Sequence, residues 1–188
     1  MNIANWLTML RILLAFICIG FILQDTFVSL LAGFCVFVVA SITDFLDGFI
    51  ARKRNLISDL GKILDPIADK ILIIGVFIAF LQLGVINAWM VSVIILREYI
   101  ITHVRLYNFN KGVVLEAKAL GKHKTFSQVL GIVFIFITLL LFKVMPGNKV
   151  VEFLYSSLIS WVMWYIMSIT LISGVHYFWV NRRSIKTF

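Results

Sequence analysis

Apolar stretches long enough to cross a bilayer recur along the whole chain. A hydrocarbon core of about 30 Å is crossed by roughly 20 apolar residues in a helix. Six stretches meet that length, at residues 6–23, 27–49, 62–82, 86–107, 124–143 and 152–179. Inside a bilayer no water bonds to the backbone, so each stretch is expected to be helical. The sequence therefore predicts an all-α integral membrane bundle of six transmembrane helices, in one domain covering residues 1–188.

The composition agrees with a membrane protein and argues against other classes. The chain is 62% hydrophobic and only 14% charged, whereas soluble domains average about 25% charged residues. Its net charge of +8 is typical of cytoplasmic loops and anionic headgroups, and no aromatic and basic pattern indicates nucleic-acid binding. Cys18 and Cys35 lie inside apolar stretches and form no CxxC motif, which favours packing over a redox or zinc role.

The basic residues predict the orientation of the bundle. Breaks near residues 24–25, 83–84 and 146–148 fall on one side, and those near 52–55 and 108–122 fall on the other side with both termini. Most basic residues lie on the second side: Arg52, Lys53, Arg54, Lys62, Arg105, Lys111, Lys118, Lys122, Lys124, Arg182, Arg183 and Lys186. Because cytoplasmic loops are enriched in Lys and Arg, this side and both termini are expected to face the cytoplasm.

Four of the nine acidic residues are concentrated at the predicted cytoplasmic ends of the second and third stretches. They are Asp44, Asp47, Asp65 and Asp69. A charged residue at membrane depth costs about 2.5–3.5 kcal/mol on insertion scales, so four carboxylates call for a positive partner. Each pair shares a helix face at i, i+3 or i, i+4 spacing, and the short loop makes the two helices neighbours. Converging oxygen ligands favour Mg²⁺ or Mn²⁺, and two ions match the charge better than one.

The carboxylates belong to a longer pattern of fixed spacing. Two motifs separated by eight residues compose it: Asp44-x-x-Asp47-Gly48-x-x-Ala51-Arg52 and Gly61-x-x-x-Asp65-x-x-x-Asp69. This pattern resembles the complete signature of the CDP-alcohol phosphatidyltransferase family, and the six-helix topology agrees with that family along the whole chain. The resemblance implies an enzyme, commonly a homodimer, that transfers the phosphatidyl group of CDP-diacylglycerol to an alcohol and releases CMP. Its active site would lie at the cytoplasmic side of the inner membrane.

The resemblance also implies roles for individual residues. The four aspartates would bind two divalent ions, with Asp44 and Asp65 bridging them and Asp69 serving also as the general base. The CDP-lipid would contact a set drawn from both motifs and from the amino terminus: Asn5, Thr8, Gly48, Ala51, Arg52, Ser58 and Gly61. The family usually has proline before the position of Asn5, where this chain has Ala4.

The fourth and fifth stretches predict the acceptor pocket. The segments Arg97-Glu98-Tyr99 and Gly121-Lys122-x-Lys124-Thr125 resemble family members whose acceptor is glycerol 3-phosphate. Helical spacing puts Gly121, Lys124, Thr125 and Gln128 on one predicted face, with a substrate phosphate as the natural counter-ion of the cations. The predicted phosphate contacts are Arg97, Arg105, Lys122, Lys124 and Thr125.

Other functions are compatible with parts of this pattern. Another phosphorylated polyol, such as inositol phosphate, is the alternative acceptor, because residues near Thr102-His103 are bulkier than is usual in the family. A cation transporter could use intramembrane aspartates, although the other stretches lack the polar groups across the midplane that a transport path needs. A structural scaffold would explain neither the carboxylates nor the glycines.

Overall fold

The protein is a bundle of helices joined by short connections. The computed structural model describes residues 3–54, 59–110 and 119–185, and no strand occurs within these ranges. The helices are α1 (Ile3–Leu23), α2 (Phe27–Arg54), α3 (Asp59–Gln82), α4 (Ala88–Asn110), α5 (Ala119–Val144), α6 (Lys149–Phe153) and α7 (Ile159–Ile185). A π-helical turn at Leu154–Leu158 joins α6 to α7. The predicted all-α class is thus confirmed for the described residues.

The lengths of the apolar helices support membrane insertion without settling the number of crossings. Within the described residues, His123–Val144 and Lys149–Arg182 are long and apolar enough to cross a membrane. Thr8–Leu23, Phe27–Thr43 and Lys70–Gln82 are apolar but shorter. The six crossings and the cytoplasmic location of the termini therefore stay predictions.

Many large apolar side chains are exposed and a few charged side chains are buried, although the core itself is mainly apolar. Large apolar residues cover the outside, and Val28, Trp161 and Val175 are each at least 70% exposed. Charged side chains lie inside, where Arg11 is 1% exposed and Glu98 is 7% exposed. Large exposed apolar surfaces mark contact with a membrane or a partner, whereas charged residues are rarely buried without a partner. The fold therefore suits lipid around the outside of the bundle and polar chemistry within it.

The long helices form a closed ring of neighbours. α1 packs along both α2 and α3, and α2 also packs on α5. α5 packs on α7, α7 on α4 and α4 on α3, which closes the ring. α1 is therefore the common neighbour of the two helices that carry the aspartate motif.

Phe136 of α5 fills the centre of the ring. Its ring centroid lies 5.6 Å from that of Phe34, 5.9 Å from that of Phe37 and 5.1 Å from that of Phe80. Two of these aromatic partners belong to α2, and Phe80 belongs to α3. Aromatic pairs at such separations add attraction beyond the burial of their area. Phe136 thereby ties α5 to α2 and α3.

Three tight connections join the helices at the end of the bundle opposite the motif. Each contains one residue with positive φ: Asp25 at 49°, Gly84 at 74° and Gly147 at 84°. These residues fall at three breaks that the sequence predicts. Asp25 also pairs with Lys143, with 2.8 Å between carboxylate and ammonium, so the α1–α2 turn is held against the end of α5.

Replacing the central ring tests this packing. Phe136→Ala leaves a cavity between α2, α3 and α5, and large-to-small changes of this kind cost about 3–5 kcal/mol in protein cores. Ile137→Ala is the matched control, because Ile137 follows in the same helix and is 44% exposed. Unfolding of both variants in detergent should show a large loss of stability for Phe136→Ala and a much smaller one for Ile137→Ala. Equal losses would contradict the central role of Phe136.

Candidate functional site

Helical backbone carries all four aspartates of the motif. α2 continues to Arg54 and α3 begins at Asp59, so Asp44 and Asp47 lie near the end of one helix and Asp65 and Asp69 near the start of the next. The i, i+3 and i, i+4 spacings therefore act as helical spacings. If the four carboxylates converge, they would supply the oxygen ligands that Mg²⁺ or Mn²⁺ prefers.

The side chains of this motif, including Arg52, lie outside the described part of the structure, as does that of Asn5. Ser58 lies outside the described backbone as well. Among the described side chains, no group of three or more His, Cys, Asp or Glu residues could hold a metal ion. The assignment of two metal ions to the four aspartates stays a prediction.

The amino-terminal half of α1 brings polar groups into the bundle. Thr8 and Arg11 are each 1% exposed, and Arg11 is the largest fully buried side chain among the described residues. Their i, i+3 spacing places them on one face of α1, which packs on both helices of the aspartate motif. Thr8 is a predicted CDP-lipid contact, whereas Arg11 was not assigned to the site. The spacing Thr8-x-x-Arg11 in a mostly apolar helix is the sequence signal from which Arg11 could have been assigned to the same site.

A buried ion-pair cluster joins α4 to α5. Oε1 of Glu98 accepts a hydrogen bond from Nζ of Lys124 and another from Nη1 of Arg97, the latter at 3.2 Å. Glu98 and Lys124 are each 7% exposed. Taking charged groups out of water is costly unless they are paired and hydrogen-bonded, so each of these charges depends on the others.

α7 completes the cluster from the other side. Nη2 of Arg97 donates to Oγ of Ser173 at 2.9 Å, and that hydroxyl donates to the backbone oxygen of Thr170 at 2.9 Å. Nε2 of Gln128 lies 3.5 Å from Oγ1 of Thr170. A Cβ built on Gly174 would lie 3.2 Å from both Cγ and Nε of Arg97. The arginine therefore lies in a slot on α7 that a side chain at position 174 would narrow.

Lys70 connects the cluster to α3. This lysine lies within electrostatic range of both Glu98 and Lys124. It directly follows Asp69 in the chain, so the cluster is close to the helix that carries the second half of the aspartate motif. The described cluster thus has three cations and one carboxylate. Such cations suit a phosphate ligand, because a phosphate can accept two bonds from an arginine and one from a lysine.

The structure modifies two expectations for this region. The sequence analysis placed Thr125 on one face with Lys124 and Gln128, but Lys124 and Gln128 are buried whereas Thr125 is exposed. The hydroxyl of Thr125 donates to the backbone oxygen of Gly121 at 3.3 Å. Lys124 and Gln128, which are four residues apart, face the interior of the bundle. Thr125 follows Lys124 and is therefore turned about 100° away from it around the helix.

The second difference between expectation and structure concerns the counter-ion of Lys124. The sequence analysis expected a substrate phosphate, whereas Glu98 already binds the lysine. Glu98 belongs to the Arg97-Glu98-Tyr99 segment of the predicted pocket but was not named as a phosphate contact, and Thr170, Ser173 and Gly174 were not assigned to the site. Glu98 could have been found as an acidic residue inside an apolar stretch, but no sequence signal links it to α5 or α7. The side chains of Arg105 and Lys122 lie outside the described part.

Comparisons with known proteins agree on one family. The family model for CDP-alcohol phosphatidyltransferase matches residues 1–175. A Bacillus subtilis protein is 40% identical over 160 residues, covering 85% of this chain and 78% of the relative. A Rickettsia bellii protein is 34% identical over 179 residues, covering 94% of this chain and 93% of the relative. A Mycoplasma genitalium protein is 41% identical over 150 residues, or 71% of this chain and 64% of the relative. All three are named "CDP-diacylglycerol--glycerol-3-phosphate 3-phosphatidyltransferase".

The slot on α7 can be tested with a matched pair of glycine substitutions. Gly174→Ala places a Cβ against Arg97, whose guanidinium is held by Glu98 and Ser173 and cannot move away freely. Overpacking of this kind costs about 1–3 kcal/mol. Gly20→Ala is the control, because a Cβ there meets nothing within 4 Å, and alanine favours a helix over glycine by roughly 0.5–1 kcal/mol. Thermal unfolding should therefore show a loss of stability for Gly174→Ala but not for Gly20→Ala. Equal unfolding temperatures of the two variants would contradict the close packing of Arg97 against Gly174.

Proposed function

Because the chain belongs to the CDP-alcohol phosphatidyltransferase family, we propose that it transfers the phosphatidyl group of CDP-diacylglycerol to the hydroxyl of glycerol 3-phosphate. The products are phosphatidylglycerophosphate and CMP, which makes the chain an enzyme of phospholipid biosynthesis. The observation that carries this proposal is the agreement of relatives that cover up to 94% of the chain and bear the same name.

The ion-pair cluster supports a phosphorylated acceptor. In it Arg97 and Lys124 meet at Glu98, and Lys70 lies within electrostatic range of both Glu98 and Lys124. A phosphate group on the acceptor can form charge-assisted hydrogen bonds with such cations, whereas an uncharged alcohol cannot form an ion pair with them. Arg105 and Lys122 are assigned to the same pocket from the sequence alone, whereas Thr125, which is exposed, is left out of it. Inositol phosphate carries the same group and is the second candidate acceptor.

The reaction we propose is a displacement at the lipid-side phosphorus of the donor. The acceptor oxygen bonds to that phosphorus, the bond from phosphorus to the CMP oxygen breaks, and Asp69 accepts the hydroxyl proton as general base. Asp44, Asp47, Asp65 and Asp69 would hold two Mg²⁺ or Mn²⁺ ions. When bound, these ions neutralise the diphosphate and stabilise the charge that develops on it.

The donor contacts proposed from the motif lie around the aspartates. Gly48 and Ala51 leave room beside the carboxylates for a ligand to approach the helix, and Arg52 is suited to phosphate oxygens. Asn5, Thr8, Ser58 and Gly61 complete the proposed set. Burial of Thr8 beside Arg11 supports a polar pocket at the start of α1.

We place the active site at the cytoplasmic face of the cell's inner membrane. The proposed arrangement has six crossings, both termini in the cytoplasm and one domain over residues 1–188. The ring of helices, its apolar outer surface and the basic residues near the motif support this arrangement. A homodimer is proposed from the family alone.

An acceptor panel tests the function directly. Purified protein with CDP-diacylglycerol should release CMP and form phosphatidylglycerophosphate when glycerol 3-phosphate is added, but not with free glycerol or serine. The activity should require Mg²⁺ or Mn²⁺ and disappear on exhaustive chelation. A greater rate with inositol phosphate would reassign the acceptor. Undiminished activity after chelation would overturn the role of the four aspartates.

A substitution at Asp69 tests its proposed role as general base, which the other three aspartates do not share. Asp69→Asn preserves the size of the side chain and removes its basicity, so turnover should fall roughly 10²-fold or more. Binding of CDP-diacylglycerol should be less affected. Asp25→Asn is the matched control, because Asp25 is an exposed residue at the opposite end of the bundle. Normal turnover of Asp69→Asn would assign the base to another residue.

A further inference from the structure

We propose that Glu98 is a positioning residue that holds Arg97 and Lys124 together as a preformed cradle for the acceptor's phosphate. The proposal rests on the function proposed above and adds to it a residue that neither the motif nor the acceptor assignment contains. Its basis is the placement of Glu98 between two helices, each of which supplies one cation.

A single oxygen atom organises both cations. Oε1 of Glu98 accepts from Nη1 of Arg97 and from Nζ of Lys124, although these residues lie on α4 and α5. Two buried cations repel each other, and the repulsion is strong where water is scarce. The carboxylate between them offsets that repulsion. Glu98 thus allows two positive groups to remain close to each other inside an apolar bundle.

Lys124 retains donors for a ligand. An ammonium group has three N–H donors, and among the described residues Glu98 is the one hydrogen-bond partner of Lys124. Arg97 is fixed at both terminal nitrogens, at Nη1 by Glu98 and at Nη2 by Ser173. Its stem lies against Gly174. The arginine is therefore rigid and the lysine is anchored at one point, which is the arrangement expected of a site prepared before its ligand binds.

Two possible roles of Glu98, repelling the acceptor phosphate and positioning the two cations, predict opposite changes in acceptor binding when its charge is removed. Glu98 is an anion beside the place where we expect an anion to bind. If it only repelled the phosphate, its neutralisation would strengthen acceptor binding. If it positions Arg97 and Lys124, its neutralisation lets the two cations separate and weakens acceptor binding. The direction of the change in acceptor KM therefore distinguishes the two roles.

Glu98→Gln preserves the size of the side chain and removes its charge. We expect the KM for glycerol 3-phosphate to rise about tenfold or more, the scale of one lost charge-assisted hydrogen bond. The KM for CDP-diacylglycerol should change little, and Glu98→Asp should recover part of the loss. Glu152→Gln is the matched control, because Glu152 is an exposed carboxylate on α6. An acceptor KM that stayed constant or fell would overturn the proposal.

A second variant tests the same cradle without changing a charge. Ser173→Ala removes the contact at Nη2 of Arg97 and leaves Glu98 in place, so the acceptor KM should rise by a smaller factor. Ser168→Ala, an exposed serine on the same helix, should behave as the unchanged protein. If Glu98→Gln does not fold, Glu98→Asp and Ser173→Ala decide the question, and normal acceptor KM values in both would overturn the proposal.

Protection by the acceptor gives a readout that does not depend on turnover. Glycerol 3-phosphate should raise the unfolding temperature of the unchanged protein, because a ligand that binds only the folded state stabilises it. The shift should be smaller for Glu98→Gln and full for Glu152→Gln. If the unchanged protein neither releases CMP with glycerol 3-phosphate nor is protected by it, the proposed function and this inference both fail. If it does both and Glu98→Gln matches it, only the positioning role fails.

Discussion

The need to neutralise charge inside an apolar bundle determines how its helices are arranged. Apolar packing between helices has little directional preference, and lipid can replace it at modest cost. The contacts of Glu98 with Arg97 and Lys124 have fixed partners and geometry, and they join α4 to α5. Ser173 extends the same connection to α7. Because a broken contact would leave a buried charge without its partner, this cluster gives three helices specific contact points that the surrounding apolar side chains do not provide.

The helices could be predicted from the sequence because they depend on local properties. Five of the six apolar stretches lie within described helices, the fourth begins two residues before α4, and the turns at Asp25, Gly84 and Gly147 coincide with predicted breaks. The helix ends were less predictable. α2 continues through basic residues to Arg54, beyond the apolar stretch that ends at residue 49. A helix continues as long as its backbone hydrogen bonds are satisfied, and this condition does not require apolar side chains.

The candidate site was predictable only where it depends on spacing within one helix. The aspartate pairs are predicted from i, i+3 and i, i+4 spacing and stay a prediction, whereas Lys124 was identified as a candidate on its own helix and lies in the described cluster. Its pairing with Glu98 depends on how α4 meets α5, which no spacing within either helix reveals. Thr125 shows the same limit, since its exposed position depends on which face of α5 contacts α4 and α7. Tertiary contacts, rather than residue types, determine these parts of the site.

α3 connects the two halves of the proposed chemistry. Position 69 carries the proposed base, and the next residue, Lys70, lies within electrostatic range of the Glu98 cluster. Successive helical residues are turned by about 100°, so positions 69 and 70 lie on neighbouring faces of α3. An acceptor with a reactive hydroxyl at one end and a phosphate at the other needs two sites at a fixed separation. A helix that presents one site on each of two neighbouring faces meets this need, because its rigid backbone keeps their separation constant.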